Sequence, residues 1–432
     1  MGIDFMKKLT GYLLISSMLV FCLPASAEAQ FWKNWFQKKE APVHHYKPVH
    51  KDPTPVMPKP GPLKKKIEQQ YPASTKKSNY RIDVLTPLYI DELDKADKKI
   101  PDRSLNAVQF YEGIKLAVDT LNSFHYNIQV YIHDIAAPGA TADLLIANHK
   151  LDSADLLIGG VQSKDISVLA AFAKKRKINF ISALSPSDAS IKDNPYFILT
   201  QPTLQVHCNY LMGYIQKKHP NQKMVLLYRT NVSSEQGAYS YIIDNDEPAA
   251  FKKLLCNSLP AKNQLSVLLD STKVNVIIIS VLDNTYADLL LRNLHDWFPN
   301  YRFEVYGMPS WKTLPSLKKP DAYPNIAVYF TYPFHFDPSI PAIQNIDRNY
   351  KNEYGGRPSE IVYRAYETMY LYSYLLIQYG PIFNNRFSDN SANLFTKYDI
   401  EPKLDKNGNF LYNENQHIYL YRYQSSSYIV EQ

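Results

Sequence analysis

Apolar and polar positions change their rhythm at residue 80. Beyond it, short apolar runs bounded by turn residues alternate with stripes recurring about every three to four positions, the mark of buried strands between amphipathic helices. Runs at 82–88, 128–132, 156–158 and 178–182 predict strands, and stripes at 105–121, 140–151 and 163–177 predict the helices between and after them. An isolated strand at 195–202 opens a second series: helix 204–218, strand 224–228, helix 247–255, strand 274–280, helix 286–298 and strand 303–306. A third isolated strand, 326–333, precedes helices at 343–354 and 361–379, and the chain closes on a hairpin of 418–423 and 428–430. Alternation at this spacing implies right-handed βαβ units and parallel sheets covered on both faces. The expectation is an α/β body of two doubly wound lobes joined by a multi-strand hinge. Lobe 1 takes about 80–202 and 333–404, lobe 2 about 203–325 and 405–432. A ligand would sit in the cleft where strand ends and helix starts of both lobes meet.

Before residue 80 the pattern is different. Lys7 and Lys8 precede an apolar run over 9–23, followed by Ala25-Ser26-Ala27 and Ala27-Glu28-Ala29, which reads as a signal peptide over 1–29 with export to the periplasm. Met6 is an alternative start, and Cys22, preceded by bulky Phe21, is a poor lipidation site. Residues 30–79 hold eight prolines and few larger aliphatics, so they are expected to be a disordered, semi-rigid spacer. Phe31, Trp32, Trp35 and Phe36 fall on one side of a helical wheel, which suits either an interfacial membrane anchor or a sticky disordered end. His44, His45 and His50 lie among prolines without carboxylate or thiol partners, so no metal site is expected there.

Charge removes one class of partner. The net charge of +7 suggests nucleic acid until it is located: residues 30–79 carry 11 lysines against Glu40, Asp52 and Glu68. That balance of +8 leaves 7 − 8 = −1 for residues 80–432, so the basicity is a property of the tail and no nucleic-acid partner is expected. The tail could meet membrane or cell wall. In the body Cys208 and Cys256 are expected as buried thiols, a disulfide being the alternative, and no spacing suggests a metal or cofactor.

The chemistry centres on residues 155–163, Asp-Leu-Leu-Ile-Gly-Gly-Val-Gln-Ser. An apolar strand stops at Gly159 and Gly160 and Ser163 heads a new helical stripe, so free N–H groups of a helix start can hold a carboxylate or a phosphate. Nucleotide and dinucleotide fingerprints are absent, as are nucleophile-elbow and paired-histidine zinc motifs, so no enzyme is expected. His133-Asp134 at a strand end lacks a nearby nucleophile and reads as a polar strand end. The turn Asp405-Lys406-Asn407-Gly408-Asn409 mimics a calcium loop, but its glycine comes at the fourth position and no glutamate closes it.

Several stretches in order carry a resemblance: Val84-Leu85-Thr86-Pro87-Leu88, Phe110-Tyr111-Glu112-Gly113-Ile114-Lys115-Leu116-Ala117-Val118-Asp119, the turn 159–163, Phe180-Ile181-Ser182, Tyr196-Phe197-Ile198-Leu199-Thr200, Tyr350-Lys351-Asn352-Glu353-Tyr354-Gly355-Gly356-Arg357-Pro358-Ser359 and Ala365-Tyr366-Glu367. Over residues 80–432 the chain resembles the type I periplasmic substrate-binding proteins, in the branch that binds leucine, isoleucine, valine and related amino acids for ABC importers. The resemblance implies a non-catalytic protein that closes two lobes on a small amino acid-like ligand, with an ABC permease as partner. It places Ser163, with Gly160 and Gln162, at the ligand carboxylate, and Ser185 in the second carboxylate loop. In lobe 2 the usual Tyr-Gly pair is replaced by Ser233-Ser234, and the ammonium-binding acid has Asp283 as its closest substitute. Bland readings stand beside these: Ser163 as an N-cap, Ser185-Pro186 as a turn, Asp283 as the cap of the next helix, Glu367 as structural. The altered lobe 2 and the long tail imply an alternative, a cell-envelope interaction module such as the regulators of peptidoglycan synthesis that use a similar fold.

Overall fold

The computed structural model describes residues 71–93, 100–245, 251–319 and 322–431. The expected signal peptide, Cys22, the aromatic cluster at 31–36 and the three tail histidines lie outside them. In chain order the elements are β1 (Tyr80–Thr86), α1 (Ile90–Leu93), α2 (Asp102–Ser123), β2 (Ile128–Asp134), α3 (Ala142–Ala147), β3 (Leu156–Gly159), α4 (Ser163–Arg176), β4 (Asn179–Ser182) and β5 (Phe197–Leu199). There follow α5 (Leu204–Lys218), β6 (Met224–Tyr228), α6 (Ser233–Ile243), β7 (Phe251–Leu255), α7 (Lys262–Ser266), β8 (Val274–Ile279), α8 (Asn284–Trp297), β9 (Arg302–Gly307) and β10 (Ile326–Tyr332). The chain ends on α9 (Pro341–Tyr354), α10 (Glu360–Tyr379), β11 (Ile400–Leu404), β12 (Phe410–Asn415), β13 (Tyr419–Gln424) and β14 (Ser427–Glu431).

The described residues form two units, the first from those up to 201 with 336–415 and the second from those of 202–335 with 416–431. In the first, seven strands run in the order β11-β12-β5-β4-β3-β1-β2, all parallel except β11 against β12. Strand residues alternate between two buried faces. Ile82, Val84, Leu156 and Ile158 pack with Phe110 and Ile114 of α2 and Met369 and Leu376 of α10. Leu85, Leu157 and Phe180 pack with Leu169 and Phe172 of α4 on the other side. Register aligns Leu85 with Gly159, Gly159 with Ser182 and Ser182 with Leu199, which brings the carboxyl ends of four strands to one edge.

The second unit repeats the plan with the order β14-β13-β10-β9-β8-β6-β7 around one apolar core. Its β13 adds antiparallel to β10 and β14 antiparallel to β13, as the expected terminal hairpin.

Three expectations are corrected. The helix expected at 247–255 is an edge strand over Phe251–Leu255, paired with β6. The return to lobe 2 expected at 405 falls at 416, because the 405–409 turn joins β11 to β12, both in the first sheet. The last nine residues of the expected disordered spacer, 71–79, are laid against the first unit: Lys77 Nζ lies 2.5 Å from Asp155 Oδ1, and the Ile382 N–H donates to Ser74 Oγ at 3.1 Å.

Candidate functional site

In the first unit the aligned carboxyl ends open onto the start of α4. Gly160 leaves β3 with its N–H donating to Leu85 O at 2.9 Å. A Cβ on Gly160 would lie 2.8 Å from the Phe110 ring, so only glycine lets the chain turn this close to α2. Gln162, in extended backbone, is the N-cap and makes no side-chain cap bond; Ser163 is the first helical residue. Both are exposed, and among the described hydrogen bonds none takes the Ser163 hydroxyl. The bland reading of Ser163 as a cap is therefore corrected: its hydroxyl stands at the positive end of a 14-residue helix with no capping duty.

Around this end the backbone is pinned by several side chains, among which sequence reasoning did not single out Arg364. Arg364 of α10 is buried, and its Nη2 donates to Ala183 O (3.1 Å), Leu184 O (3.3 Å) and Gln201 Oε1 (2.5 Å), tying the ends of β4 and β5 together. Its only signal in the sequence is an arginine within an otherwise apolar and aromatic stripe. Ser185 lies on the same edge, but its hydroxyl accepts from the Ser187 N–H at 3.1 Å, an ordinary local turn. Asp134 is buried and accepts from the N–H groups of Leu88, Tyr89, Ile90 and Ala136 at 2.8–3.2 Å, fixing the loop after β1. His133 turns elsewhere, its Nε2 lying 2.7 Å from Asp83 Oδ1, which also receives Arg81. Glu367 is buried and accepts from the N–H groups of Leu394, Phe395 and Thr396; burial pushes its carboxyl up to about 7.

The second unit's residues are arranged around an ion pair. Arg229, the residue after β6, is buried with Nε 3.0 Å from Glu235 Oε2 and its guanidinium 4.5 Å from the centre of the Tyr286 ring. The other Glu235 oxygen accepts from the N–H groups of Leu282 and Asp283 at 2.9 and 3.1 Å. Asp283 is the N-cap of α8, accepting from the N–H groups of Thr285 and Tyr286, with Oδ2 3.7 Å from Arg229 Nη1. Ser233 is the exposed first residue of α6. The structure thus links the regions of Ser233 and Asp283 through Glu235, and gives Asp283 a capping role.

Cys208 and Cys256 are free and buried, and burial pushes their thiols up to about 12 and about 11. Among the described residues no group of three or more His, Cys, Asp or Glu side chains is placed to hold a metal ion. A surface recess of about 480 Å3, lined in part by Tyr71, Lys76, Tyr379 and Arg386, lies at the amino-end side of the first sheet, away from Ser163.

Doubly wound units with loops gathered at aligned strand ends give this chain the fold of the type I periplasmic substrate-binding proteins. No protein-family model matches the sequence, and no curated protein is similar to it. Solved structures are similar. A putative branched-chain amino acid ABC transporter protein from Rhodospirillum rubrum matches 82% of this chain and 100% of its own, with TM-score 0.59 and 14% identity. An ABC transporter substrate-binding protein from Desulfitobacterium hafniense in complex with Leu matches 82% and 100%, with TM-score 0.51 and 16% identity. LpoA from Haemophilus influenzae shares the fold over 83% of this chain and only 59% of its own length, with TM-score 0.54 and 13% identity. Among the described residues no helix is long and apolar enough to cross a membrane.

Proposed function

We propose that the protein is an exported, non-catalytic binding protein whose first unit takes a small, carboxylate-bearing, amino acid-like ligand at the start of α4. The observation that carries this reading is the exposed Ser163 hydroxyl at the head of a long helix, beside a Gly160 turn that packing holds open. The hydroxyl and the first-turn N–H groups offer a carboxylate both donors and the helix dipole. A solved protein of the same fold is in complex with Leu, which supports the ligand class. An ABC permease would be the partner of such a protein.

The test is a thermal-shift and calorimetric panel of amino acids. A ligand at a hundred times its Kd adds about 2.7 kcal/mol of stability. Ser163→Ala is expected to weaken the best ligand about tenfold or more, since a hydrogen bond to a charged group contributes roughly 1.5–3 kcal/mol. Its melting temperature without ligand should not move. An unchanged affinity would remove Ser163 from the site.

A second reading is favoured by one observation. The carboxyl ends of the second sheet are already engaged by Arg229, Glu235, Asp283 and Tyr286, which leaves Asp283 partly committed. This suits a cell-envelope interaction module, for instance one acting in peptidoglycan synthesis. Silence across the panel, together with specific capture of one envelope protein, would select it.

A further inference from the structure

Residues 71–77 pass beneath the amino ends of β5, β4 and β3. The Tyr71 ring meets Tyr196, just before β5, edge-on at 6.3 Å. Ser74 accepts from the N–H of Ile382, and the neighbouring Pro381 O accepts from Asn179, the first residue of β4, at 3.0 Å. Lys77 pairs with Asp155, just before β3, and its own N–H donates to the Tyr80 hydroxyl at 2.9 Å. Gly380 supplies an independent sign that this path is built into the fold. Its φ is +81°, and a Cβ there would lie 2.4 Å from Ser74 Oγ and 3.1 Å from Thr75 O. The end of α10 is shaped to receive the passing chain.

We propose that residues 71–79 are a fixed strap that makes the amino-end face of the first sheet the attachment side of unit 1. The preceding segment, and whatever it engages, then meets the unit at the face opposite Ser163, which stays clear. The proposal does not depend on what the Ser163 face binds.

Limited trypsin digestion of the chain from residue 30 tests the strap. Cleavage after Lys64, Lys65 or Lys66 is expected to outpace cleavage after Lys76 or Lys77 by more than about tenfold, because a docked segment must open before a protease can take it. Ser74→Ala removes one bond without altering α10, and Gly380→Ala drives a methyl into the strap. Each should raise cleavage after Lys76 and Lys77 several-fold, and Ser74→Ala should leave the melting temperature in place. Equal rates at the two lysine groups in the wild-type chain would overturn the proposal. The polarity is read by spin labels at Ala73→Cys and Gln162→Cys, since Cys208 and Cys256 are buried and escape labelling. One narrow distance distribution beyond about 15 Å is expected, the length of the intervening strands at roughly 3.3 Å per residue. A broad distribution reaching below that distance would overturn it.

Discussion

Glu112 of α2 is a charged residue placed where a charge is costly. Its carboxyl is buried and accepts from the Tyr350 hydroxyl of α9 at 2.8 Å. Burial pushes it from 4.5 up to about 7, with the Tyr350 bond acting in the opposite direction. Between those two values the folded chain keeps a proton that the unfolded chain has released. Stability therefore falls as pH rises through that window, and the penalty is complete above 7. Glu112→Gln keeps an acceptor for Tyr350 and removes the charge. It should stabilise the protein at pH 8 by roughly 1–3 kcal/mol, and have little effect near pH 4.5. Urea unfolding at the two pH values measures this; an equal effect at both would show that the charge is not the cause. At this scale the sequence exposes residues whose chemistry is local. The helix start at Ser163 was legible from the two glycines before it, and the capping role of Asp283 from the helix that follows it. Arg364 was not, because the carbonyl oxygens that give it meaning belong to Ala183 and Leu184, far away in the chain. Arg229 and Glu235 were missed although only six positions apart, since their pairing needs the β6 end and the α6 start to fold back on each other.

Elements buried on both faces were readable from hydropathy; of the four edge strands, β2 and β14 were readable and β7 and β11 were not. β4 is buried at all four positions and α5 has a continuous apolar stripe, and both were expected within a residue of where they lie. β7 reads Phe-Lys-Lys-Leu-Leu, a spacing of three and four that mimics a helix, and as an edge strand it carries no requirement for strict alternation. β11 contains Pro402, which an edge tolerates. β12 ends in Asn413, Glu414 and Asn415, all buried, where hydropathy predicts exposure. Their burial is compensated by bonds from Asn413 to Pro195 O, from Asn415 to Thr200 O, and by Lys403 3.0 Å from Glu414. The junction of β3 and α4 depends on another feature no pattern records, the contact of Gly160 with Phe110. Gly160→Ala should destabilise the protein by roughly 1–3 kcal/mol, because Phe110 is fully buried and overpacking forces backbone shifts. It should also weaken any ligand held at Ser163. Adding Phe110→Leu should recover part of both losses, as measured by urea unfolding and calorimetry. If Gly160→Ala proves neutral, the turn is not set by this packing.

Over the whole chain, folding and charge are segregated. Residues 80–432, which supply both sheets, are close to neutral at −1, whereas residues 30–70 carry nine lysines and three acids, a balance of +6. A charge concentrated in one segment acts on distant partners through that segment, and salt screens it within about 8–10 Å at ordinary ionic strength. The docked residues 71–79 add Lys76 and Lys77, of which Lys77 already faces Asp155. A chain of residues 71–432 therefore keeps the strap but only one net positive charge, against seven for residues 30–432. The longer chain should bind a cation exchanger and elute only as salt rises through roughly 0.1–0.3 M, the range over which exposed charges become screened. The shorter one should pass through at low salt with the same melting temperature. Starting the chain at residue 80 instead should lower that temperature, because Tyr80 and Asp155 lose their strap contacts. Equal retention of the two longer chains would place the adhesive charge on the folded units and leave the segment before residue 71 with no electrostatic role.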